Sequence, residues 1–150
     1  MTSSVVSRVS INTTPSEVFR YLTDPEYHFL WNPHLRSMSP RVLLKEGSSY
    51  KTSSLLLGIQ VTSLNHVTKL AANRELQIEN TTGTLKYRVN YSLQPDKKTT
   101  LLICTTELST DGKAFVYTQP ILKMLARREL QSDLKALKLA VEKKLAKPAL

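Results

Sequence analysis

The sequence predicts an α+β fold: a curved antiparallel sheet of six to seven strands, two short helices after the first strand, and a long C-terminal helix packed across the sheet. Three observations predict it. Short alternating segments separated by turn signals run from about Val42 to Leu108, an unbroken amphipathic stretch runs from about Tyr117 to Lys147, and two proline-led helix starts stand in tandem ahead of both. A chain of 150 residues fits one domain, residues 1–150. Such a chain buries roughly two thirds of the surface it exposes when unfolded.

Ser4 to Ile11 alternates and is rich in Val and Ser, so it reads as the first strand. Thr14-Pro15-Ser16-Glu17 then sets a capping hydroxyl, a proline at the first helical position and a Glu three residues after the cap. Val18, Phe19 and Leu22 give that short helix its apolar side. Asp24-Pro25-Glu26 repeats the start signal at once, and Tyr27 to Trp31 fill a second short helix that stops before Pro33.

The turn signals beyond it are regular: Glu46-Gly47, Gly58, Ala72-Asn73, Thr82-Gly83, Pro95-Asp96 and Asp111-Gly112. They separate segments of hairpin length. The clearest strand alternates Leu85, Tyr87, Val89, Tyr91 and Leu93 with Lys86, Arg88, Asn90, Ser92 and Gln94, giving an aromatic inner face and a polar outer one. Leu76 and Ile78 keep the same parity among Glu75, Gln77 and Glu79, which places these acids toward solvent. Leu101 to Cys104 is apolar on both parities and reads as a well-covered strand. In the last segment Ala126, Leu130, Leu134, Leu137, Val141 and Leu145 form one helical stripe that must pack on the sheet. The first two turns are less simply amphipathic, because the same period extended backwards reaches Arg127 and Lys123.

Composition excludes several classes. Hydrophobic residues make up 41% and charged residues 22%, with no run approaching the roughly 18 apolar residues of a membrane span. The first ten residues lack a secretory signal, and the single Cys104 excludes an internal disulfide, so a cytoplasmic location is expected. The sequons at Asn12, Asn80 and Asn90 carry no weight without secretion. The net charge of +9 is uneven: Tyr117 to Lys147 holds eight Lys or Arg against three acids. That excess fits a solvated helix face or attraction to an anion, such as a ligand head group or an acidic membrane surface. Nucleic acid is not expected, since no zinc-finger spacing, aromatic RNA-binding motif or consecutive basic block accompanies the charge.

The opening strand ending in Ile11-Asn12, the helix entry Thr14-Pro15-Ser16-Glu17-Val18-Phe19, the link Leu22-Thr23-Asp24-Pro25-Glu26, Trp31-Asn32-Pro33, and the spaced Leu-Lys-x-Leu pattern of Leu130 to Glu142 carry a resemblance. Over nearly the whole chain they resemble the START-like (helix-grip) superfamily, in its polyketide cyclase/dehydrase and lipid-transport-like branch. The resemblance implies the fold. It carries over no catalytic residue, because the matching motifs are structural and the superfamily includes carriers, cyclases, hydrolases and chaperone activators.

Enzyme signatures are absent: there is no Gly-rich phosphate loop, Ser elbow or His pair spaced for zinc. Neither metal nor cofactor is expected, because His28, His34, His66 and Cys104 show no ligand spacing, and His28 reads as a surface residue. Cys104 reads as a small buried hydrophobe. If the helix stands off the sheet, a dry void of roughly 300 Å³ would cost about 7 kcal/mol, so an open interior must hold water or ligand. Tyr50, Tyr87, Tyr91, Phe115, Met124 and Leu125 would line such a space, with Lys123 and Arg127 at its rim directed at an anionic head group. The expected partner is therefore a small hydrophobic or amphipathic molecule bound without chemistry. A cyclase or dehydratase using the pocket tyrosines with Glu107 or His66, and a basic interaction module for an acidic protein or membrane surface, are the alternatives.

Overall fold

A computed structural model of the chain describes residues 2–56, 59–82, 85–110 and 119–146. The elements follow as β1 (Thr2–Ile11), α1 (Pro15–Thr23), α2 (Pro25–Trp31), β2 (Leu35–Ser39), β3 (Ser49–Leu56), β4 (Ile59–Ala71), β5 (Glu75–Asn80), β6 (Leu85–Asp96), β7 (Thr99–Thr110) and α3 (Gln119–Glu142). Seven antiparallel strands form one sheet in the order β1-β7-β6-β5-β4-β3-β2, so β2 to β7 meander while β1 returns to pair with β7. The expected helix-grip architecture is present.

Local chemistry explains the tandem helices. Thr14 Oγ1 accepts the Glu17 amide at 3.4 Å, and Pro15 occupies the first turn of α1. Asp24 serves both helices: its amide donates to the Arg20 carbonyl at the end of α1, and its carboxylate accepts the Glu26 amide at the start of α2. Gly47, at a φ of 88°, supplies the turn ahead of β3 in a conformation that side chains disfavour.

Parity places the sheet's inner face. One row crosses five strands as Tyr50, Asn65, Asn80, Tyr87 and Leu108, and the parallel row Val67, Ile78, Val89 and Thr106 lies beside it. Leu76, Leu93, Leu102 and Cys104 are buried on the same face. On the outer face Glu79 pairs with Arg88 at 2.5 Å, and Lys69 pairs with Glu75 at 3.1 Å.

α3 packs against β1, α1 and α2. Its second half closes tightly, with Leu134, Leu137, Ala140 and Val141 all buried. Lys138 Nζ donates to the Ser10 carbonyl at 2.5 Å, and the Asn12 amide donates to Glu142 Oε2 at 2.7 Å, tying the end of β1 to the helix.

Four expectations need correction. The alternating region begins earlier than Val42: β2 starts at Leu35, and Val42 and Leu43 are exposed in the connection to β3. β2 was illegible because its sequence, Leu-Arg-Ser-Met-Ser, spaces its two buried residues three apart around a bulge. The strand β6 runs through Pro95-Asp96, and the turn falls at Lys97, which has a φ of 58°. The terminal helix stops at Glu142, short of Leu145. There Lys144 adopts a φ of 52°, and the Leu145 and Lys144 amides donate to the carbonyls of Ala140 and Val141, which ends the helix in a Schellman arrangement. Leu145 therefore leaves the stripe, and its carbonyl accepts the Tyr21 hydroxyl at 2.7 Å. The turn signals Gly58, Gly83 and Asp111-Gly112, together with Tyr117 and Lys147, lie outside the described residues.

Candidate ligand-binding cavity

Between the first half of α3 and the inner face of the sheet lies a half-open cavity of about 260 Å³. The helices and the sheet shape it. From α3 come Ala126, Glu129, Leu130 and Asp133, spaced so that all four share one helix face. From α1 comes Leu22, from α2 and the connection after it come His28, Trp31 and His34, and from β2 come Leu35 and Met38. The sheet contributes Tyr50, Thr52, Ser63, Asn65, Ile78, Tyr87, Val89, Tyr91 and Thr106 among others.

Most of the polar groups here are already engaged. The Tyr87 hydroxyl donates to Asn65 Oδ1, while Asn65 Nδ2 donates to Thr52 Oγ1 at 3.0 Å. Trp31 Nε1 donates to the Tyr21 carbonyl at 3.0 Å, and its ring meets Tyr91 edge-on with centroids 6.2 Å apart. His28 is buried, which corrects the expectation of a surface residue. Its Nε2 bonds the Leu22 carbonyl at 2.6 Å, and burial holds the ring below its ordinary range, so it is neutral at pH 7. A single turn of α2 turns His28 and Trp31 to the same side, which linear reading of so short a helix did not reveal.

Asp133 differs from these. Its Oδ1 is buried with no hydrogen-bond partner among the described residues. Burial, reinforced by the neighbouring Glu129 charge, pushes its carboxyl up to about 7. Burial also raises the phenols of Tyr50, Tyr87 and Tyr91. It pushes the Cys104 thiol up to about 12, leaving it inert. At the mouth His34 Nε2 lies 4.0 Å from Glu129 Oε1. Among the described residues no group of three or more His, Cys, Asp or Glu is arranged to hold a metal ion.

A family model described as polyketide cyclase / dehydrase and lipid transport matches residues 2–142. The chain belongs to that family. Solved structures share the START-like fold at low identity. A Thermus thermophilus protein has a TM-score of 0.83 at 16% identity, covering 96% of this chain and 100% of that one. A START superfamily protein from Mycobacterium smegmatis has a TM-score of 0.80 at 20% identity, covering 94% and 98%. The Zhui aromatase/cyclase from Streptomyces sp. R1128 has a TM-score of 0.79 at 16% identity, covering 97% of each chain. No curated protein matches.

Of the residues expected at the site of this family member, the structure brings Tyr50, Tyr87 and Tyr91 together in the cavity wall. Lys123, Met124, Leu125 and Arg127 are not part of it. Met124 is half exposed and Arg127 faces solvent, because the helix face turned inward is the one carrying Ala126, Glu129 and Asp133. Phe115 lies outside the described residues. Glu107 and His66 are also elsewhere: Glu107 meets Arg88 at 3.6 Å on the outer face, and His66 Nδ1 bonds Ser49 Oγ at 2.7 Å. Sequence reasoning missed Glu129 and Asp133 by counting them only as surface charge, although they stand at three and seven residues after Ala126 on the same stripe.

Proposed function

We propose that this protein binds or carries a small hydrophobic or amphipathic molecule in the cavity beneath the first half of α3. One observation carries the reading: the hollow is lined by Trp31, Tyr91, Ile78, Val89 and Leu130 but includes a few fixed polar groups, the mixture that suits a partly apolar ligand. Left dry, about 260 Å³ would cost about 6 kcal/mol, comparable with the stability of a whole domain. Occupancy by ligand or water removes that penalty. No helix among the described residues is long and apolar enough to cross a membrane, and a cytoplasmic carrier is the form this reading takes.

Native mass spectrometry of gently purified protein tests it. A retained small molecule, released on denaturation and rebound with quenching or shift of Trp31 emission, supports the carrier. Failure of any amphiphile to perturb Trp31 counts against it.

A second reading, a cyclase or dehydratase acting on a polyketide-like or aromatic substrate, is favoured by Asp133. A buried carboxyl that titrates near neutrality beside the Tyr91 phenol has the properties of a general acid or base. This reading predicts that Asp133→Asn keeps ligand affinity and loses turnover. A carrier shows no turnover in either form.

A further inference from the structure

Resting on the ligand-binding reading, we infer that the cavity selects amphiphiles whose head group donates a hydrogen bond, an ammonium above all, and discriminates against carboxylates. The residues that carry this are Asp133 and Glu129. They are the acidic side chains of the cavity wall, and among the described residues no Lys or Arg joins them there. The excess positive charge of α3 lies elsewhere: Arg127, Arg128 and Lys135 are exposed, and Lys138 is engaged with Ser10 and Glu142.

The remaining polar lining narrows the contact point. Asn65 is engaged with Tyr87, Thr52 and the Tyr50 carbonyl, His28 with Leu22, and Trp31 with Tyr21. The Asn65, Thr52 and Tyr87 side chains hold one another, His28 and Trp31 are held by backbone carbonyls, and the neutral Tyr50 and Tyr91 phenols complete the polar lining. Asp133 Oδ1 is buried without such a partner, and a buried acceptor left unmatched is unfavourable. Asp133 and Glu129 both line the cavity, and a positively charged donor brought in by a ligand opposes the repulsion between these two carboxyls one helical turn apart. A carboxylate in the same place adds a third negative charge in a poorly solvated space. Among the described residues His34 lies 4.0 Å from Glu129, and Tyr91 and Cys104 face Asp133 from β6 and β7 as neutral groups. The geometry thus reverses the preference for anions that the basic sequence of α3 implies.

A matched series of decylamine, decanol and decanoate tests the inference, titrated at pH 7.5 below their aggregation thresholds. Trp31, the chain's one tryptophan, is the fluorescent reporter, with calorimetry as an independent readout. Decylamine is expected to bind at least tenfold more tightly than decanoate, a difference of about 1.4 kcal/mol, with decanol between them. Asp133→Asn is expected to weaken decylamine about tenfold while changing decanol by less than threefold. Glu129→Gln provides a second variant should the first fold poorly, with a smaller loss of the same sign. Decanoate binding as tightly as decylamine to the native protein overturns the inference while leaving the cavity a ligand site. If none of the three binds, the ligand-binding reading itself fails and takes the inference with it.

Discussion

The two halves of α3 meet the same sheet with opposite results. From Leu134 to Val141 the helix inserts Leu134, Leu137, Ala140 and Val141 into a closed core and is tied to β1 through Lys138 and Glu142. From Ala126 to Asp133 the inward face offers a small residue, one leucine and two carboxylates, and a cavity remains. One continuous helix thus serves both as structural seal and as wall of a cavity. What changes along it is side-chain size and charge on the inward face.

The contrast can be broken most directly by truncating one leucine in each half. Leu137→Ala, at a fully buried position, is expected to lose about 4 kcal/mol in urea denaturation, whereas Leu130→Ala, which merely enlarges an existing hollow, loses about 1 kcal/mol. Equal losses would show that the two halves are packed alike.

Acidity sharpens the same contrast. Asp133 has a folded-state pKa raised from 3.8 to about 7, so the folded state holds the proton more tightly than the unfolded chain does. The resulting penalty is absent below pH 4, grows between pH 4 and 7, and is complete above 7, amounting to about 4 kcal/mol. His28 acts with opposite sign: its lowered pKa favours the fold above pH 6.5, and that stabilisation is lost as pH falls. Asp133→Asn retains the His28 contribution. The stability of the variant relative to the native protein should therefore rise from pH 4 to about 7 in denaturant midpoints and then level off, and a constant difference would contradict the burial of this carboxyl.

Filling the open half comes next in size. A ligand at a hundred times its dissociation constant stabilises by about 2.7 kcal/mol, visible as a rise in Tm, if it binds only the folded state. Applied to Leu137→Ala the same ligand should give a similar increment, since the closed half does not touch it. The smallest effect concerns the seal's far end. Lys144→Gly relieves a left-handed backbone conformation and should stabilise by about 0.5 kcal/mol, read from the same urea midpoints.

These contrasts also explain what could be read from the sequence. Strand parity in β6 and β5 and the two capped helix starts are local patterns with a single physical meaning, and the family resemblance rests on those same segments. The tyrosines of the cavity followed from parity. Asp133 and Glu129 did not, because a charged residue on a helix is usually solvated, and only the standing-off of the first half of α3 leaves them facing a hollow. His28 was hidden for a related reason: seven residues of α2 are too few for periodicity to reveal a face. β2 was lost because its bulge breaks the alternation that identifies strands.

Among the described residues β1 and β2 form the two margins of the sheet, and each is blunted in its own way. β2 is five residues long and kinked by its irregular pairing with β3, a poor template for another chain. β1 is twice that length, but Arg8 is exposed along it, and its end is fastened to α3 through the Ser10 carbonyl and the Asn12 amide. Freeing that fastening by Lys138→Ala together with Glu142→Ala would leave the Ser10 carbonyl and the Asn12 amide bare at the longer margin, so its consequence is side-by-side strand addition between molecules, seen as concentration-dependent self-association.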